Sequence, residues 1–386
     1  MTGARQLRRR PAAWIAGLAL ALGCALAGAP RAAAAPALPD TVPGHRGTYY
    51  YYRGLDYGSQ SLVHPLRLIV NGGFGIMQME NRSNRPGDID YATGARNVVD
   101  NLLHPQWAVS HAGFWDFFQR EVLPVSFSTN GGQYWPNYMN HLLGGGMSYR
   151  AMEEYYRYHG VEHSRTWAGA TLFCYHFLNE VVENDGYVGR NADPVADFWI
   201  FNPAGVWLFS HENVARFFGQ RLHMADWSYP AIWMPETQEL QNNGQNYVMK
   251  YNLDPEGHRA IFYHWGADAE LGLSHTDDQG RCFSFGLGLR AKNLLELDNL
   301  SKTVDLAVSG GFFYDRDNSL LASLQFARSK DYRYRLNLYP GLVKVGKVQP
   351  GFFVGVNDNE RMLAGITIGS LRHVPVGIGG DFMETR

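Results

Sequence analysis

The sequence predicts an α+β fold in which a helical module is followed by an antiparallel transmembrane β-barrel of about eight to ten strands. Three observations carry that expectation. An export leader opens the chain, hydrophobic residues then recur with a helical period, and the second half alternates apolar with small or polar residues.

The leader occupies residues 1–35. Arg5, Arg8, Arg9 and Arg10 form a positive start, residues 14–29 an apolar run, and the small residues at 32–35 suit a peptidase that accepts Ala-x-Ala. The run is shorter than the ~20 apolar residues of a spanning helix. Cys24 follows Ala21-Leu22-Gly23, which loosely resembles a lipoprotein processing site. Leu directly before that glycine fits poorly, so ordinary cleavage is expected. About 350 residues then remain, enough for one large domain or two ordinary ones. Residues 36–61 read as an irregular N-terminal segment, with the tyrosines at 49–52 either in it or forming a first strand.

Residues 62–228 read as the helical module. Short helices are expected over 95–103 and 113–122, a longer one over 137–160 between Pro136 and Gly160, and another over 165–184. A third long pattern covers 193–221, interrupted at Asn202-Pro203. Gly144-Gly145-Gly146 would cost about 1 kcal/mol per glycine relative to alanine in a solvated helix. Close approach of another backbone justifies such a run. Gly72-Gly73-Phe74-Gly75 reads the same way, because it lacks the Lys-Ser/Thr ending of a phosphate loop.

Residues 229–386 carry the barrel pattern. Ile261, Tyr263, Trp265, Ala267, Ala269, Leu271 and Leu273 share one face, opposite Phe262, His264, Gly266, Asp268, Glu270, Gly272 and Ser274. Phe283, Phe285, Leu287 and Leu289 oppose Ser284, Gly286, Gly288 and Arg290 in the same manner. Asp277-Asp278-Gln279-Gly280, Asp315-Arg316-Asp317-Asn318 and Asn357-Asp358-Asn359-Glu360 supply turns between runs. One apolar face and one small or charged face imply two different surroundings, lipid and a crowded lumen. A soluble antiparallel barrel or sandwich, with the apolar face inward, is the alternative. No stretch after the leader reaches ~18 uninterrupted apolar residues, so a membrane crossing requires strands. Phe382 is followed by four further residues, whereas outer-membrane barrels commonly finish on an aromatic.

A net charge of −2 with interspersed signs argues against a nucleic-acid partner. The 22 Tyr, 21 Phe and 10 Trp suit a membrane interface and an aromatic core equally. Cys174 and Cys282 remain after the leader, and spacing does not say whether they meet.

Chemistry is expected only on the helices. Asn137 and His141 are four residues apart, His176, Glu180 and Glu183 follow i, i+4, i+7 spacing, and Asp193 and Asp197 repeat the four-residue step. If the helices pack face to face, His141, His176, Glu180 and Asp197 converge. Such a set can ligate zinc, activate water, or satisfy itself as a buried structural network, and the structural network is the expectation. The same four residues are the catalytic candidates. The spacing is not HExxH, no Gly-x-Ser-x-Gly elbow occurs, and no cofactor or metal is assigned. His64-Pro65 and His104-Pro105 read as turns.

Pro136-Asn137-Tyr138-Met139-Asn140-His141, with Gly145, Tyr149, Arg157 and Gly160, resembles an uncharacterised family of bacterial outer-membrane-associated proteins. Glu180 in Phe177-Leu178-Asn179-Glu180, and Asp197 ahead of Asn202-Pro203-Ala204-Gly205, continue the likeness over about 90 residues. Leu142 stands where that pattern has Pro, and Glu183 falls one position early. The resemblance implies a helical module preceding or plugging a β-barrel, with His141, Glu180 and Asp197 as signature polar positions. It implies no activity.

The function expected is therefore an outer-membrane protein of structural, binding or transport type, with a periplasmic location as the alternative. Its partners would be outer-membrane lipids and the envelope assembly machinery. An envelope lipid-modifying hydrolase using the His/Glu/Asp cluster is the second reading.

Overall fold

A computed structural model of the chain describes residues 40–124, 135–186, 189–298, 301–369 and 374–382. The expected leader at 1–35 and the residues after Phe382 lie outside them. The tyrosines at 49–52 form no strand; they are buried in an irregular segment that packs on the helices.

Helices are the only regular elements among the described residues from Pro65 to Arg221. The first, α1 (Pro65–Gly73), starts where Pro65 needs no hydrogen-bond acceptor and His64 Nδ1 accepts from the Leu66 amide. Helix α2 (Tyr91–Leu103) is capped by Asp90, which accepts from the Thr93 amide at 3.0 Å. Then come α3 (Pro105–Ala112) and α4 (Phe114–Phe117), the latter running into a π-helical turn, Phe118–Val122. A second π-helical stretch, Trp135–Gly145, leads into α5 (Gly146–Tyr158), which Gly160 ends with φ 71°. Helix α6 (Ser164–Glu183) is the longest and packs against α1, α2 and α5.

The third expected pattern is interrupted elsewhere than at Asn202-Pro203. Helix α7 (Asp193–Ala196), a π-helical turn (Asp197–Phe201) and α8 (Asn202–Ser210) follow without a gap, and the break comes at His211, before α9 (Glu212–Arg216). Proline is tolerated because the wide turn has already shifted the hydrogen-bond register just ahead of Pro203.

The sheet holds 13 strands among the described residues, in the order β1-β4-β5-β6-β7-β8-β9-β10-β11-β12-β13-β2-β3. Strands β1 (Ala225–Asp226), β2 (Ile232–Met234) and β3 (Glu239–Gln241) are short; β4 (Tyr247–Asn252), β5 (Arg259–Trp265) and β6 (Asp268–Thr276) begin a meander. It continues through β7 (Arg281–Asp298), β8 (Ser301–Arg316), β9 (Ser319–Ala327), β10 (Tyr334–Leu338), β11 (Pro350–Val356), β12 (Met362–Ile368) and β13 (Gly377–Asp381). The expected turns join β6 to β7, β8 to β9 and β11 to β12. Asp317 and Asn318, at φ 55° and 61°, form the tightest of them.

The expected closed antiparallel barrel of eight to ten strands is not what forms. The sheet is mixed and open, with β1 and β3 as its ends. Strand β2 runs parallel to β13, and the β2–β3 hairpin then ends the sheet. The Leu240 amide on β3 donates to the Asn84 carbonyl at 2.8 Å instead of to another strand. Near the other end, the Asp226 carbonyl on β1 accepts from Ser59 Oγ at 2.9 Å. Loops from the helical half thus take up groups that strand pairing would have used.

The sheet nevertheless curls strongly, and its faces are inverted relative to a soluble sheet. Its concave side carries His264, Asp268, Glu270, Arg290, Gln325, Arg335 and Asn337, all buried. Leu273 and Val308 on the convex side are 64% and 70% exposed, and Phe283, Phe285, Leu287, Phe312 and Leu324 accompany them. Asp268 lies on β6 and Arg335 on β10, yet they approach to 3.5 Å across three intervening strands. Arg290 bridges Asp268 and Asp331 at 2.9 Å each, Arg335 reaches Asp331 at 3.1 Å, and Tyr332 donates to Asp268 at 2.9 Å. Arg335 also lies over the rings of Tyr229 and Tyr332, both 3.8 Å away. A second buried pair, Lys250 and Asp315 at 2.5 Å, sits beneath Trp227 with the Cys282 thiol alongside. Cys282 is free and buried, and Cys174 is free and exposed.

The helical module rests on β4 and β5. Tyr247 and Trp265 pack with Met139, Met147, Ala151 and Phe209, and Trp265 Nε1 donates to the Met139 carbonyl at 3.2 Å. A further tie runs from Arg290 to Gln78 at 3.4 Å. Replacing Arg290 by Met leaves Asp268 and Asp331 short of a counter-charge in a dry interior. We expect unfolding free energy to fall by about 3–5 kcal/mol, read by chemical denaturation. A loss below about 1 kcal/mol would show that these charges are solvated.

Candidate functional site

Three segments supply the polar centre: the π-helical stretch before α5, the middle of α6, and the π-helical turn after α7. His141 comes from the first, His176 and Glu180 from the second, and Asp197 from the third. All four are buried, and all four come together. His141 Nε2 lies 3.2 Å from Asp197 Oδ2, and its Nδ1 lies 3.2 Å from Asn202 Oδ1. An imidazole met at both nitrogens is fixed in orientation. Ligating atoms of His141, Glu180 and Asp197 all fall within 4.8 Å of one another. Glu180, Glu183 and Asp193 form a second such group, so Glu180 belongs to both.

His176 differs from the others. Its ring is 1% exposed, tilted against His141 with 4.7 Å between centroids, and stacked on Tyr175 at 4.0 Å. Neither ring nitrogen has a hydrogen-bond partner among the described residues. Burial, with the His141 imidazole beside it, holds His176 well below the ordinary histidine range, so the ring is neutral at pH 7 with a lone pair available.

Glycines permit this packing. Gly146 faces the Gly205 carbonyl and the Phe209 ring, Gly144 faces Tyr247, and a Cβ on Gly145 would stand 3.1 Å from His176 Nε2. The close approach expected of this run is what the helices use to bring His141 against α6. Gly72 and Gly73 serve likewise, beneath Tyr175 and Leu178 of α6. The π-helical turns add a register shift on both segments that carry His141 and Asp197, and such turns are rare and concentrate at functional sites.

Asn137, which spacing puts on the His141 face and which was not among the residues expected to converge, turns to the preceding helix. It donates to the Glu121 carbonyl at 2.9 Å and holds the preceding helix. Asparagines that spacing left unread make up the support. Asn184 donates to Glu180 Oε2 at 3.3 Å and accepts from Asn191 at 2.9 Å, while Asn97 donates to the Asn184 carbonyl at 3.2 Å and Asn101 accepts from the Asn191 amide at 3.0 Å. Asn97 and Asn101, four apart on α2, were the available signal; Asn191 had none, and Asn202 stood out only beside Pro203 and in the resemblance. His64 and His104 lie at helix starts, away from the centre.

The packing predicts opposite outcomes for two glycine substitutions. A Cβ added to Gly169, also on α6, would meet nothing within 4 Å, so Gly169→Ala should stabilise by about 0.5–1 kcal/mol. Gly145→Ala should destabilise by about 1–3 kcal/mol, because the new methyl would press on His176 Nε2, whose ring is packed between Tyr175 and His141 and can yield only by disturbing them. Melting curves of the two variants decide it, and equal shifts would contradict the tight approach.

Comparison of the chain with protein families, with curated proteins and with solved structures finds no match. What the centre does has to be argued from its own geometry.

Proposed function

We propose that this chain is a lipid-facing protein of the outer membrane whose helical module hydrolyses an ester of an amphiphile. The observation that carries the reading is the inverted burial: charge lies inside the curled sheet while its convex face offers Leu, Val and Phe to the surroundings. Exposed Leu, Val and Phe recur across β6, β7, β8 and β9 on this face, and acyl chains are the surroundings that suit it. Ser59 and Asn84 meet backbone groups near the two ends of the sheet, which lowers the cost an open edge carries beside lipid. The helices continue the same surface chemistry. Trp107, Phe114, Trp115, Phe173, Trp199 and Trp207 are all at least half exposed, and indole rings favour the headgroup level.

Hydrolysis, rather than a structural network, is favoured by His176. A network kept for stability satisfies its members, and this imidazole has no hydrogen bond among the described residues. In the proposed reaction water adds to the ester carbonyl and the bond to the alcohol oxygen breaks. Glu180 takes the proton from water, and the His141–Asp197 pair returns one to the leaving oxygen.

The test uses vesicles of phosphatidylethanolamine and phosphatidylglycerol with a labelled acyl chain. The wild-type chain should stay with the vesicles through a carbonate wash and release labelled fatty acid. Leu273→Glu with Val308→Glu should weaken retention, and Asp197→Asn should cut release by about a hundredfold or more while retention is unchanged. A wild-type chain that washes off ends the lipid-facing reading, and undiminished release in Asp197→Asn ends the catalytic one.

A further inference from the structure

We propose that His141, His176, Glu180 and Asp197 bind a divalent transition-metal ion of zinc type inside the helical module. The inference does not depend on the lipid reading above, and it replaces the proton-transfer roles given there, because the same atoms of His141, Glu180 and Asp197 would hold the ion. His141 Nε2 and Asp197 Oδ2 stand 3.2 Å apart. Two ligands at a tetrahedral angle, on bonds of about 2.0–2.1 Å, are separated by about 3.3 Å. Glu180 offers an oxygen within 4.8 Å of both.

His176 is the independent observation. It is buried beside His141 and presents two ring nitrogens that have no hydrogen-bond partner among the described residues. A buried polar atom left unmet destabilises the fold unless something else meets it. A metal ion at the meeting point of His141, Glu180 and Asp197 would do so once the His176 ring, which lies against His141 outside that group, turns a nitrogen toward it. Two imidazoles with two carboxylates match zinc and its first-row neighbours, whereas magnesium and calcium take oxygen ligands almost exclusively.

The surroundings have the form of a metal ligand's support. Asn202 holds the second nitrogen of His141, and Asn184 holds Glu180, as hydrogen-bonded outer partners do when they aim ligands at an ion. The π-helical turns place His141 and Asp197 at the register this convergence requires.

The test takes the full chain in detergent micelles, strips it with a chelator, and titrates it with zinc alone. Elemental analysis should count one zinc that depends on these residues, and its affinity should fall about a hundredfold or more in His176→Leu and Asp197→Asn. His176→Leu should also keep the melting temperature of the stripped wild type, since no hydrogen bond is lost. A merely structural histidine would instead lower that temperature and leave zinc binding alone. Cobalt(II) titrated into the unaltered chain gives visible absorption bands when held by nitrogen and oxygen at low coordination number, so the proposal can be read even where a variant does not fold. Absent zinc and absent cobalt bands in the wild type overturn it, as does unchanged zinc affinity in a folded His176→Leu. Zinc binding without lipid turnover upholds this site and removes the substrate reading; lipid turnover in a chain that binds no zinc does the reverse.

Discussion

Arg290 and Arg335 meet Asp268 and Asp331 on the concave side of the sheet, and the strands from β6 to β10 are arranged around that encounter. Ions removed from water must be paired and hydrogen-bonded, or the fold pays several kcal/mol for each. The sheet therefore curls until β6 and β10 face one another across three strands. Tyr229 and Tyr332 close the remaining space with their rings, and Gln78 extends the contact to the helical half. With the charges inside, the alternation of each strand leaves its apolar residues outside. The character of the convex surface follows from the pairing of the interior.

The helical module obeys a related constraint on a smaller scale. One group of its polar residues gathers where α6 meets two π-helical turns, and asparagines hold it together alongside the His141–Asp197 pair. Asparagine can donate and accept at once, so a chain of four links α2, α6 and the segment before α7 with no net charge. Glycine at 144–146 and at 205 removes the side chains that would keep the helices apart. The outcome is a module with two buried polar centres, this one and the Arg150–Glu154 pair of α5, whose outer face carries tryptophan.

Much of this was legible in the residues. The long helices over 135–158 and 164–183 lie close to where the hydrophobic period and the glycine stops placed them. The four candidate residues share a centre because i, i+4 spacing fixes a face whatever that face meets. The hairpin between β5 and β6 was hidden for a definite reason. Trp265 pairs with Ala269 and Ile261 with Leu273, so odd-numbered residues stay on one side through the turn and the alternation reads as unbroken. The continuity through Asn202-Pro203 was hidden as well, because a π-helical turn absorbs a proline that by itself marks a break.

Periodicity alone determined which residues lie on which face of each strand and helix, since that depends only on the local geometry of the backbone. It also singled out His141, His176, Glu180 and Asp197. Whether the sheet closes was decided by tertiary contacts: the short strands β1 to β3 have no alternation long enough to register, and their direction and partners depend on Ser59, Asn84 and β13, distant in sequence. Only packing, likewise, could leave His176 buried without a hydrogen bond, because that depends on what three separate segments bring to one point and not on any spacing within one of them.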